Sequence, residues 1–170
     1  MTGALLVTGG VRSGKSHFAE TRATALGGPV CYIATAEARD DEMARRIADH
    51  VARRPSDWQT IEAPLTLVAA IEASEGAVRV VDCLTLWLSN LMLAGRDWVA
   101  EVDALVACLG RQASPVILVT NEVGWGIVPE NALARRFRDA SGVMNRRVAE
   151  AAGEVVLVVA GQALRIKPCA

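Results

Sequence analysis

Five short, almost wholly apolar runs recur along this chain: ALLVTG (4–9), VCYIAT (30–35), VRVVD (78–82), PVILVTNE (115–122) and EVVLVVAG (154–161). Their length and β-branched content predict strands buried on both faces, as in a parallel sheet. Helical patterning fills the spaces between them, at residues 15–26, 38–54, 64–74, 84–94, 98–112 and 131–152. Strands alternating with helices predict an α/β fold, with a mostly parallel central sheet, helices on both faces and right-handed crossovers. The closing GQALRIK (161–167) adds a candidate edge strand. A chain of 170 residues fits a single domain, 1–170. Sheets of this kind bind ligands at the carboxyl ends of their strands, so the loops after residues 8, 35, 82 and 122 are expected to face the site.

The first of those loops carries the clearest chemistry. GGVRSGKS places Gly9, Gly10, Val11, Arg12, Ser13, Gly14, Lys15 and Ser16 in the G-x-x-x-x-G-K-S pattern of a phosphate-binding P-loop. Glycines let backbone N–H groups turn inward around a phosphate with no Cβ in the way. Lys15 reaches the β- and γ-phosphates, the Ser16 hydroxyl is a ligand for Mg²⁺, and the helix beginning near Gly14 turns its positive end to the anion. The motif follows an apolar strand and opens a helix, which makes the expected fold P-loop NTPase-like. Asp82, closing VRVVD, is the matching acidic residue for Mg²⁺. Glu122, closing PVILVTNE, is a second carboxylate at the same sheet edge, and either one could orient Mg²⁺ or the attacking hydroxyl.

Composition removes several classes of function. With 18 basic and 19 acidic residues the net charge is −1, so no overall field draws nucleic acid or an anionic membrane. Cys31, Cys83, Cys108 and Cys169 show no C-x-x-C spacing, and they read as buried or incidental thiols of a reducing compartment. No secretory signal opens the sequence, and no apolar run approaches the roughly 20 residues of a membrane span. A cytoplasmic protein is expected. No dinucleotide fingerprint, H-E-x-x-H or G-x-S-x-G elbow is present.

The remaining candidates are less decided by their neighbours. Trp125, between Gly124 and Gly126 in TNEVGWGIVPEN, is either a flat apolar surface for a large substrate or a core residue of a tight loop. Arg135, Arg136, Arg138, Arg146 and Arg147 could serve as phosphate clamps, but most of them read as a solvated basic face. His17 follows the P-loop serine and reads as structural or solvent-facing. His50 falls at the edge of an apolar helical stripe made by Met43, Ile47 and Val51, beside Arg46 and Arg53. Nearby cations favour the neutral, nucleophilic imidazole and also attract a triphosphate.

The stretches LLVTGGVRSGKSHFAE, YIATAEARDDEMARRIADHVARRP, VVDCLTLWLSNLM and VTNEVGWGIVPENALARRFRDASGVMNRRVA together resemble one family nearly end to end. It is the bifunctional adenosylcobinamide kinase / adenosylcobinamide-phosphate guanylyltransferase family of cobalamin biosynthesis. The resemblance implies two reactions at one nucleotide site. The γ-phosphate of ATP or GTP passes to adenosylcobinamide; then GMP passes from GTP, through a guanylylated histidine, to adenosylcobinamide-phosphate. It places that histidine in the R-x-x-x-H-x-x-x-R-P context of residues 46–55, hence at His50, with Lys15 as the second catalytic residue. It places nucleotide contacts on the P-loop, on Ala34, Thr35 and Ala36, on Val51, Ala52, Arg53 and Arg54, on Glu62, and near Leu84. It also implies a homotrimer. A small-metabolite kinase with an inert His50, and a nucleotide-dependent switch, are the alternatives that the residues alone leave open.

Overall fold

The computed structural model describes residues 3–38, 41–52 and 54–168, and for residues 42, 43, 46, 49 and 50 the backbone only. The chain runs β1 (Ala4–Thr8), α1 (Lys15–Leu26), β2 (Val30–Ala34), α2 (Asp41–Ala52), β3 (Gln59–Glu62), α3 (Leu67–Ala73), β4 (Val78–Asp82), α4 (Leu84–Leu93), α5 (Trp98–Leu109), β5 (Val116–Val119), α6 (Ala132–Ala151), β6 (Glu154–Val159) and β7 (Gln162–Lys167). All strands join one sheet in the order β3-β2-β4-β5-β1-β6-β7. Every pairing is parallel except β6 with β7, so GQALRIK forms the expected edge strand, folded back by a tight turn.

Alternate side chains of the central strands feed two separate cores. Leu6, Ile33, Val81 and Leu118 face α3 to α6, where Leu67, Trp87, Leu105 and Met144 meet them. Leu5, Val7, Tyr32, Val80 and Val119 face the other way, against Ala19 and Ala23 of α1. Small residues on the buried side of α1 let its backbone sit close to the sheet. Side-chain caps satisfy the first N–H groups of α5 and α6: Asp97 accepts from Val99 and Ala100, and Asn131 accepts from Leu133 and Ala134. No helix among the described residues is long and apolar enough to cross a membrane.

One strand was not expected. QTIE (59–62) has a single apolar residue, Ile61, and is largely exposed, because it forms the sheet's outer edge and only one face of it meets the core. Its register with β2 pairs Ala34 with Glu62, while β4 pairs Asp82 with Ala34 and with Val119 of β5. The parallel register therefore brings the strand ends expected to carry the site to one edge.

The opposite edge is held by a buried cation. Arg79, the one charged residue inside the VRVVD run other than its terminal Asp82, is fully buried. Its guanidinium donates to the carbonyls of Ser74, Ala77 and Ser114 and to Gln112 Oε1, and it pairs with Glu75 at 3.2 Å. Hydrogen bonds from Ser114, with the Arg79 charge beside them, hold the Glu75 carboxyl down at about 2. A depressed carboxyl contributes stability above its ordinary value of about 4.5, and that contribution is lost as pH falls toward about 2. Urea midpoints measured across this window should therefore fall with acid, and Glu75→Gln should flatten that part of the curve. Arg79→Ala strands several buried acceptors and should cost about 3 kcal/mol or more at neutral pH in the same urea assay.

Candidate active site

Between β1 and α1, residues 9–16 form the loop that leaves the carboxyl edge of the sheet. Gly9 has φ 146° and Gly14 has φ 100°, both in the region that favours glycine. A Cβ on Gly9 would stand 2.3 Å from the Val158 carbonyl oxygen. Gly161, in the β6–β7 turn, donates its N–H to the Ser13 carbonyl at 2.9 Å and so braces the loop from behind. Unlike α5 and α6, α1 has no side-chain cap at its first turn, and an uncapped helix start of this kind suits an anion. The Lys15 ammonium hydrogen-bonds to the Gly10 carbonyl at 2.5 Å. Burial pulls the Lys15 pKa below its ordinary value, against the opposing influence of Cys83 and Asp82.

Asp82 is the meeting point of the neighbouring elements. Its Oδ2 accepts from the Ser16 hydroxyl at 2.9 Å and from the Tyr32 hydroxyl at 2.7 Å. Burial, and then the Asp82 charge, push the Tyr32 phenol far above its ordinary pKa, so it stays a donor. The Arg54 guanidinium lies over the Tyr32 ring, 3.5 Å from its centroid, and reaches Thr60 at 3.3 Å. Thr35 locks β2 to the end of β4, accepting from the Cys83 N–H and donating to the Cys83 carbonyl, both at 2.8 Å. The Cys83 thiol is buried, and desolvation with the Asp82 charge raises its pKa to about 12, so it is no thiolate nucleophile. On the other side of the P-loop, Glu122 Oε1 accepts from Thr8 at 2.9 Å and lies 3.4 Å from the Asn145 amide nitrogen.

The family described as cobinamide kinase / cobinamide phosphate guanyltransferase matches residues 5–166. The chain belongs to this family. It is 48% identical to the bifunctional adenosylcobalamin biosynthesis protein CobP of Pseudomonas aeruginosa, over 95% of this chain and 96% of that protein. It is 46% identical to the protein CobU, of the same description, from Salmonella typhimurium, over 96% of this chain and 99% of that protein. These are bifunctional enzymes of adenosylcobalamin biosynthesis, as the sequence resemblance implied. Among solved structures, the fold is similar to the flagellar accessory protein FlaH of Methanocaldococcus jannaschii (TM-score 0.59, 14% identity, 98% of this chain and 79% of that one). It is also similar to an ATPase of a bacterial type III secretion system (TM-score 0.58, 12% identity, 92% of this chain and 51% of that one). At such identities only the P-loop NTPase fold is shared.

The positions that the family resemblance singled out fall as follows. Ala34, Thr35 and Ala36 continue directly from β2, beside Asp82. Val51 and Ala52 are exposed at the end of α2, and Arg54 bends back over Tyr32. Glu62 is exposed at the end of β3, and the Leu84 side chain is fully buried in the core. Arg53 and Cys169 lie outside the described residues, as do the side chains of Arg46 and His50. His17 is exposed. Trp125 is 75% exposed and is therefore not a core residue of its loop, and Ile127 at 97% and Val128 at 58% are exposed beside it. Of the five helical arginines, Arg146 and Arg147 are occupied with Glu150 and Asp103, and Arg135 with the carbonyls of Pro129 and Glu130.

Sequence reasoning missed Tyr32 and Asn145. A signal existed for the first: the chain's only tyrosine stands inside a buried run, where a phenol needs a partner. Asn145 carries no such mark on an otherwise charged helix. The loop geometry yields a test. Gly9→Ala meets both the backbone strain, about 1–3 kcal/mol, and the Val158 carbonyl, so GTP affinity should fall about tenfold or more. Titration of a fluorescent GTP analogue measures this; an unchanged Kd would mean that the loop does not hold the phosphates.

Proposed function

We propose that one nucleotide site in one domain serves both reactions of the family. In the first, the aminopropanol hydroxyl of adenosylcobinamide attacks the γ-phosphorus of ATP or GTP, and the bond to the β-phosphate oxygen breaks. In the second, the His50 imidazole attacks the α-phosphorus of GTP and pyrophosphate leaves. The phosphate of adenosylcobinamide-phosphate then attacks the same phosphorus, the P–N bond breaks, and adenosylcobinamide-GDP is released. Two displacements through a labile phosphoramidate each have an activated phosphorus and a good leaving group.

The observation that carries this reading is the chain of contacts from α2 to the P-loop. Arg54, four residues beyond His50, lies on Tyr32; Tyr32 bonds Asp82, and Asp82 bonds Ser16. The end of the helix that bears His50 is thereby tied to the phosphate loop. Lys15 and the α1 N-terminus neutralise phosphate charge, and phosphoryl transfer needs mainly positioning and such neutralisation. Ser16 and Asp82 offer the adjacent oxygen donors that a hard cation takes, and they would hold Mg²⁺. Mg²⁺ there would supply charge stabilisation on the phosphates. Ala34 to Ala36, Val51 to Arg54, Glu62 and the backbone near Leu84 complete the nucleotide contacts in this reading. A cytoplasmic homotrimer that takes only small-molecule substrates completes it.

His50→Ala should abolish the covalent label left on the protein by [α-³²P]GTP while phosphorylation of adenosylcobinamide remains measurable by mass spectrometry. An acid-labile adduct surviving in that variant would remove His50 from the mechanism and favour a kinase with another nucleophile.

A further inference from the structure

A one-way relay of hydrogen bonds runs through the carboxyl edge of the sheet and ends on Glu122. The Asn121 N–H donates to Thr85 Oγ1 at 2.8 Å. Thr120 donates to Asn145 Oδ1 at 2.7 Å, which spends its only proton. The 3.3 Å contact between Thr85 and Thr120 must then carry the Thr85 proton. Asn145 is oriented from both ends: Thr120 requires its oxygen on one side, while the Asn121 carbonyl at 3.2 Å and Glu122 require its nitrogen on the other. Thr8, the last residue of β1, gives Glu122 Oε1 its second donor. Thr8, Thr85, Thr120 and Asn145 are all buried, whereas Glu122 itself is half-buried at the mouth of the site. Its backbone N–H bonds the Gly9 carbonyl at 3.1 Å, at the start of the P-loop.

Nothing in this network needs a charge at position 122. A glutamine oxygen would accept from Thr8 and Asn145 equally well. A carboxylate beside a loop built for polyphosphate adds repulsion to nucleotide binding. Asp82 already stands against Ser16, so the cation position does not call for Glu122 either. What a carboxylate has and an amide lacks is the ability to take a proton.

We propose that Glu122 is the general base of the phosphoryl-transfer step, and that Asn145 and Thr120 are positioning residues that aim it. This assignment rests on the kinase reading given above. The substrate hydroxyl oxygen bonds to the γ-phosphorus, its proton passes to Glu122, and the electron pair of the broken bond stays on the departing nucleoside diphosphate. Guanylyl transfer begins instead with an imidazole attack and has no substrate hydroxyl to deprotonate. The two activities are therefore expected to separate at this residue.

The test compares phosphoryl transfer from ATP to cobinamide with nucleotidyl transfer from GTP to phosphorylated cobinamide in the full-length protein. Glu122→Gln keeps both hydrogen bonds and should fold; kcat for phosphoryl transfer should fall by about a hundredfold or more, and its ratio to nucleotidyl transfer should fall in step. Asn145→Asp and Thr120→Val should lower kcat of the kinase step about tenfold to a hundredfold with little change in nucleotide KM. Thr120→Ser, which keeps the hydroxyl, should restore it. A Glu122→Gln enzyme that loses both activities together would place Glu122 in shared nucleotide or cation binding and overturn the proposal, as would one with an intact kinase step. Positioning variants that raise KM alone, or a Thr120→Ser no better than Thr120→Val, would overturn the relay. Wild-type protein that binds GTP yet phosphorylates no cobinamide would refute the kinase reading itself, and that result shows in a separate arm.

Discussion

A single carboxylate oxygen, Asp82 Oδ2, joins three parts of the chain that are remote in sequence. Ser16 brings the first turn of α1, Tyr32 brings β2, and Asp82 itself ends β4. Charge-assisted hydrogen bonds of this kind are stronger than neutral ones, and the flanking low-dielectric core strengthens them further. The arrangement depends on register. Because β2 and β4 are parallel, with Ala34 opposite Asp82, the Tyr32 phenol rises from two residues lower and meets the carboxylate from the side. A slip of one residue would turn Tyr32 and its neighbours to the other face of the sheet.

The two edges of the sheet divide the work. At the amino edge, Arg79 gathers the carbonyls where the chain leaves α3 and re-enters β5. That buried guanidinium bonds at the far end of the strands from Asp82, yet it holds the starts of β4 and β5, and hence the height at which Asp82 and the residues after Val119 emerge. At the carboxyl edge, polar side chains meet one another instead of closing over apolar residues, and the loops that leave there carry the exposed Trp125, Ile127 and Val128. An apolar, glycine-flanked loop beside a phosphate site is a costly surface in water. It suits an enzyme whose family handles a corrinoid, a substrate far larger and less polar than the phosphate it receives.

How much of this was legible beforehand follows from the range of each interaction. The P-loop is local: loop, lysine, serine and helix start within eight residues, so its pattern alone predicts its geometry. The buried strands were equally readable, because parallel strands announce themselves by unbroken apolar runs. β3 was not, since an outer strand with only Ile61 packed inward resembles a loop. Arg79 was hidden by the apolar run around it, and two of its partners, Gln112 and Ser114, lie 33 and 35 residues away. Tyr32 and Asn145 belong to the same class. Each finds its partner far along the chain, on another element, and no spacing rule connects positions 32 and 82, or 145 and 120.

The same contrast bears on how one nucleotide site can run two reactions. β5 lies between β1 and β4, so the segment bearing Glu122 leaves the sheet next to the P-loop strand, whereas Asp82 leaves it one strand farther away. Asp82 connects through Tyr32 and Arg54 to the end of α2, whereas Glu122 connects through Asn145 to α6. Both sets reach the P-loop, the first through Ser16 and the second through the Glu122 N–H on the Gly9 carbonyl, and the Asn121 amide nitrogen also lies 3.8 Å from the Cys83 sulfur. In the proposed scheme, the phosphates stay in one cradle while attack comes from the α2 side in one reaction and from the α6 side in the other. Between the two reactions the attacking group therefore changes together with the phosphorus it meets, the γ-phosphorus in one and the α-phosphorus in the other.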